Sequence, residues 1–181
     1  MRALTNLQKP KKKFSGVPVK SQNNLLKDAL NGIETFIDHY DHKIQIGFYL
    51  NKLVKVSLKK STEKYRKFKP TLTHGDFFLD ISSLIFDARR SYSTKVEDKL
   101  LKLYARRMKL NLKEFRSDIH TISLLRNLRI LGNWVQLYNA GKPKYLKVFR
   151  KNTWAQIFKH VEYLRLWDLR EIFMEIYNKT S

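Results

Sequence analysis

The chain contains no cysteine. That excludes disulfide scaffolds, Cys-ligated zinc, iron–sulfur clusters and cysteine nucleophiles. No apolar run approaches the roughly 20 residues a membrane helix needs, and no signal-peptide core follows Met1. The expectation is a soluble, cytoplasmic chain with no membrane partner. Acidic residues are scarce: 16 Asp+Glu stand against 37 Lys+Arg, a net charge of +21. Glycine and proline are also few, at six and four.

Hydrophobic residues make up 43% of the 181 positions and aromatics 13%. This is enough for a folded core, and the length suits one domain with or without a tail. The positive charge has two readings. Lys and Arg release counterions from phosphates, which points to nucleic acid. A solvated Lys-rich surface carries the same charge with no partner. Residues 1–27 hold seven basic residues and no acidic one. The remaining excess is spread over every predicted helix.

Residues 1–22, with Pro10, Gly16 and Pro18 among lysines, read as a basic flexible arm. Residues 23–181 read as one helical domain. Leu26, Leu30, Ile33, Ile37 and Tyr40 recur at helical spacing over 23–42, and a second stripe runs over 44–60. Pro70 stops any helix before it, and Thr71-Leu72-Thr73 is the one strand-like step. Downstream, the spacing predicts helices over 80–90, 95–109, 112–139, 144–163 and 166–177. Leu84, Ile85 and Ala88 share a face of the first of these, and Val96, Leu100, Leu101, Tyr104, Ala105 and Met108 a face of the next. Glu97 and Asp98 fall in a first turn, where the helix dipole favours them. Gly141 and Pro143 end the longest helix. Trp134, Trp154 and Trp167 sit at core spacing.

Leu72-Thr73-His74-Gly75-Asp76-Phe77 is the sharpest short signal. In kinase-type phosphotransferases an H-x-D loop follows a short strand, its Asp accepting the proton of the attacking hydroxyl while its His braces the loop. A polar turn gives the same tripeptide. Next comes Leu79-Asp80-Ile81-Ser82-Ser83-Leu84-Ile85-Phe86-Asp87-Ala88-Arg89-Arg90, which on its own reads as a capped amphipathic helix. Two further strings follow: Arg126-Asn127-Leu128 running to Gly132, and Gly141-Lys142-Pro143-Lys144-Tyr145-Leu146.

Taken together, these three strings give residues from about Leu25 onward a resemblance to the C-terminal lobe of aminoglycoside-phosphotransferase-like kinases. The closest branch is the bacterial one of N-acetylmuramate/N-acetylglucosamine sugar kinases. The resemblance implies a mainly α protein-kinase-like lobe and a phosphotransferase using ATP and Mg²⁺ on a sugar or small-molecule hydroxyl. Asp76 and His74 become candidate catalytic residues, and Asp87, Arg89, Arg90, Arg126 and Asn127 candidate substrate-binding residues.

The chain also departs from the family. Family members open with a β-rich ATP lobe bearing a phosphate-contacting Lys, which residues 1–24 are too short to supply. The metal-binding Asn would fall at Ile81. The stretch from Asp76 to Asp87 has no room for the β-hairpin and second metal Asp. No metal ligands are therefore assigned, with Asp80 and Asp87 the nearest oxygens that could substitute. The expected protein is a truncated, catalytically impaired lobe completed by a protein partner. The alternatives are a non-catalytic partner-binding pseudokinase remnant or a basic nucleic-acid-binding helical domain. Asp38, His39, Asp41 and His42 could suggest a metal but read better as a hydrated surface or helix end. His120 and His160 stand isolated in sequence.

Overall fold

The computed structural model of the protein describes residues 22–40 and 77–181. The second helical stripe, Thr71–Thr73, His74, Asp76, Asp41, His42 and all but the last residue of the arm lie outside the described residues. Among the described residues there are six helices and no strand: α1 Gln22–His39, α2 Phe77–Ile85, α3 Thr94–Met108, α4 Leu112–Asn139, α5 Lys144–Tyr163 and α6 Trp167–Thr180. None is long and apolar enough to cross a membrane.

The helix α4 is the hub, packed against α1, α2, α3 and α5. A stripe facing one partner would repeat every three or four residues. Instead every residue from Ile119 to Leu125 is buried, because neighbours cover this stretch on several sides. Two apolar clusters result. In the larger, Trp154, Phe36, Leu128, Leu131 and Phe173 join α1, α4, α5 and α6. In the smaller, Ile81, Ile85, Phe86, Tyr104, Phe115 and Ile119 join α2, α3 and α4.

The caps follow local chemistry. Ser93 caps α3, its side chain accepting from Val96 N–H, and Asn111 Oδ1 caps α4 from Lys113 and Glu114 N–H at 3.0 and 3.2 Å. Beyond α4, Gly141 takes φ +78°, and Lys142 N–H donates to Leu137 O at 2.8 Å. This left-handed stop is the expected use of glycine there. No acidic residue occupies the first turn of α5.

Several expectations need correction. The helix predicted over 80–90 stops at Ile85, because the Asp87 side chain captures Arg89 N–H and turns the chain out of the helix. Leu84, read as sharing a face with Ile85 and Ala88, is 39% exposed, and Val96, read as sharing a face with Leu101 and Tyr104, is 41% exposed. Trp154 and Trp134 are core residues, but Trp167 opens α6 at the margin of the fold and is 55% exposed. Glu97 sits in a first turn as expected, yet it is buried and takes Lys159 Nζ at 2.7 Å.

Candidate functional site

The turn that follows α2 gathers most of the candidate residues. Phe86 is buried and Arg90 N–H closes the turn on Asp87 O at 3.1 Å. Asp87 Oδ1 accepts from Arg89 N–H at 2.9 Å and Nε at 3.1 Å, while Oδ2 accepts from Arg89 Nη2 at 3.0 Å. Such a two-pronged guanidinium contact fixes the geometry of the turn. The Asp87 carboxylate is 13% exposed and its partner guanidinium side chain 55%. Burial pushes the Asp87 carboxyl up, but the Arg89 hydrogen bonds and the charges of Arg89 and Arg126 together outweigh it. Asp87 is held below the ordinary carboxylate range.

Two helices clamp this turn. From α4, Arg126 Nη1 reaches Phe86 O at 3.5 Å. Burial lowers the Arg126 pKa, and the Asp87 charge opposes that shift. From α5, Asn152 Nδ2 donates towards Ala88 O at 2.8 Å and Arg90 O at 3.2 Å, and its Oδ1 accepts from Ser91 Oγ. Thr153 accepts from Trp134 Nε1 at 3.0 Å and reaches Ala88 O at 3.5 Å. Ser82 and Ser123 share a buried hydrogen bond of 2.8 Å, fixing α2 on α4.

Behind the turn lies a polar knot that the sequence did not announce. His120 Nδ1 and His160 Nδ1 are 3.0 Å apart, and Asn127 Nδ2 lies 3.4 Å from His160 Nε2. All three residues are buried. With this Asn127 amide orientation, His160 donates from Nδ1 to His120 and accepts from Asn127 at Nε2. Tyr163 stacks on His120 at 3.8 Å and Phe86 packs edge-on to His160 at 4.8 Å. Burial, then the charges of Lys159 and Arg116, lowers His120 to about 3. Burial above all holds His160 well below its usual value, with His120, Lys159 and Arg126 adding to it.

The candidate residues therefore separate. Asp87, Arg89 and Arg90 share one turn, and Arg126 braces it. Asn127 faces the interior and contacts His160, so it is not open to a solvent-borne substrate. His120 and His160, far apart in sequence, are neighbours. Asn152 and Thr153 were missed. The available signal was that Thr153 and His160 interrupt the apolar stripe of α5 at core positions, where a polar residue needs a partner. His39 packs edge-on against Tyr40 and Tyr138 at 4.8 and 5.2 Å. Among the described residues no group of three His, Asp or Glu side chains is arranged for a metal ion.

No family model matches the chain, and no curated protein matches it.

Proposed function

We propose that the chain is a helical lobe of aminoglycoside-phosphotransferase-like ancestry, built around a sugar or similar hydroxyl substrate. One observation carries this reading: the first two strings behind the resemblance meet at one turn, and the helix that the third string opens clamps it. Arg126 of the second string binds the Phe86 carbonyl within the first. The third string forms the corner from which α5 brings Asn152 to the carbonyls of Ala88 and Arg90.

In this reading Asp76, immediately before α2, takes the proton of the attacking hydroxyl, and His74 braces its loop. ATP and Mg²⁺ come to the reading from the resemblance. Asp87 does not fit the metal, because both its oxygens face Arg89 and Arg126 adds a second positive charge.

The full chain, incubated with ATP, Mg²⁺ and N-acetylated sugars, tests the catalytic form. Phosphorylated sugar that disappears in Asp76→Asn supports it. The tight Asp87–Arg89 pair favours a second reading, a non-catalytic relative that binds a protein partner. That reading expects no product and no melting shift with ATP·Mg²⁺; a clear shift counts against it.

A further inference from the structure

Residues 119–161 contain no Asp or Glu. They hold eight Lys and Arg residues, and the fold divides these into two sets. Four have partners in the structure. Arg126 meets Phe86 O, Arg129 lies 4.0 Å from Asp28, Arg150 donates to Tyr40 Oη at 3.0 Å and to Thr180 O, and Lys159 pairs with Glu97. The other four, Lys142, Lys144, Lys147 and Lys151, make no salt bridge among the described residues and are exposed.

These four are gathered in one place. Lys144, Lys147 and Lys151 recur at three- and four-residue spacing, so they share a face of α5, with Lys142 in the corner before it. The face runs about 10 Å from Lys144 to Lys151. Exposed Arg90 adjoins it, since Asn152 of α5 holds the Arg90 carbonyl. Asp87, in the same turn as Arg90, is already paired with Arg89. Val148, 54% exposed, lies on the face, and Tyr145, 36% exposed, lies at its margin.

We infer that this face of α5 binds the phosphate backbone of a single-stranded nucleic acid. Closely spaced cations that pair with no carboxylate among the described residues suit a row of phosphates. Tyr145 stacks on Trp134 at 5.5 Å, and the exposed remainder of its ring, beside the lysines, offers a base a surface to pack on. A lipid surface fits less well, because a membrane-lying helix needs a broad apolar face and this one offers little beyond Val148. The inference is independent of the kinase reading.

Fluorescence anisotropy of the full chain with a labelled 12-nucleotide oligouridylate tests it. Four phosphate contacts predict a log–log salt slope of about −3. Combining Lys144→Glu, Lys147→Glu and Lys151→Glu should flatten that slope by about 2 and weaken binding at least tenfold at about 50 mM salt. These positions are exposed, so far-UV circular dichroism should be unchanged. Lys11→Glu, Lys12→Glu and Lys13→Glu, made together in the basic arm, should leave most of the affinity in place. The proposal is overturned by undetectable binding at low salt. Equal binding by the α5 variant, or loss only in the arm variant, overturns it too. So does tighter binding of a duplex of the same length. Retention on phosphatidylserine vesicles through the same lysines, without oligouridylate binding, would assign the face to lipid instead.

Discussion

Gly32 of α1 and Gly132 of α4 cross backbone against backbone. A Cβ on Gly132 would lie 2.6 Å from Gly32 Cα and 2.7 Å from Gly32 O, and one on Gly32 would lie 2.5 Å from Arg129 Cα. Both obstacles are main chain, so no side chain can swing aside to relieve them. Gly132→Ala should therefore force α1 off α4, destabilising by at least ~2 kcal/mol even after alanine's advantage in helices. A urea melt measures it. Gly141→Ala is the control: nothing lies within 4 Å, and its φ of +78° sets a cost of only about 1 kcal/mol. Equal costs at the two positions would remove the close-crossing argument.

The His120–His160 pair makes stability depend on acid. Both rings are neutral in the fold, since burial and the charges of Lys159, Arg116 and Arg126 lower their pKa values, His120 to about 3. The unfolded chain protonates the same rings below about 6.5. The unfolded state then binds more protons, so stability is full above pH 6.5 and falls as pH drops towards 3. Two groups give a slope of up to about 2.7 kcal/mol per pH unit. Urea midpoints at pH 7.5 and 5.0 should differ strongly, and His120→Phe should roughly halve the difference. An unchanged profile in that variant would exclude the pair as its source.

How much of this could be read from sequence depends on where the determining contact lies. The end of α4 was legible because Gly141 acts within a turn of itself; the starts of α3 and α4 followed from the apolar repeat, and their caps, Ser93 and Asn111, were not singled out. The true end of α2 was not. The repeat of Leu84, Ile85 and Ala88 continues past Ile85, and only the captured Arg89 N–H shows that the chain has turned. The histidine pair was invisible because a 40-residue separation hides a 3.0 Å contact made between two neighbouring helices. Gly32 was overlooked although an isolated glycine inside a helical pattern is itself a sign of close approach. At the candidate site, Asp87, Arg89, Arg90 and Arg126 were named through the resemblance. Their clamp, Asn152, was not, because an asparagine in a polar helical stretch looks like any solvated residue.

Asp118 runs opposite to the histidines. Burial, then the Glu114 charge one turn earlier, pushes its carboxyl up to about 6. The unfolded carboxyl ionises near 3.9. Between these values the folded state holds the extra proton, so stability is lost as pH rises from 4 to 6 and stays lost above it. Asp118→Asn should raise stability at pH 7.5 by about 1 kcal/mol, a figure reduced for the half-exposed site. At pH 4 the gain should vanish. Thermal melts of the two proteins at both pH values check this, and a gain that persists in acid would point to packing instead of charge.

Asp87, Arg89 and Asn152 all touch the same turn, yet they should not matter equally. The Arg89 side chain is 55% exposed, and an ion pair of that kind contributes at most about 1 kcal/mol, so Arg89→Ala should be mild. Asp87→Asn also removes the charge that offsets Arg126. Its cost should appear above pH 4 and fade as pH drops through the lowered folded value, because a depressed carboxyl stabilises only while ionised. Asn152→Ala unseats the carbonyls of Ala88 and Arg90 together, at about 2 kcal/mol and with no pH dependence. Hydrogen exchange at the Arg89 and Arg90 amides should rise most in Asn152→Ala. If Arg89→Ala opened the turn as far, the clamp would be the ion pair and not α5.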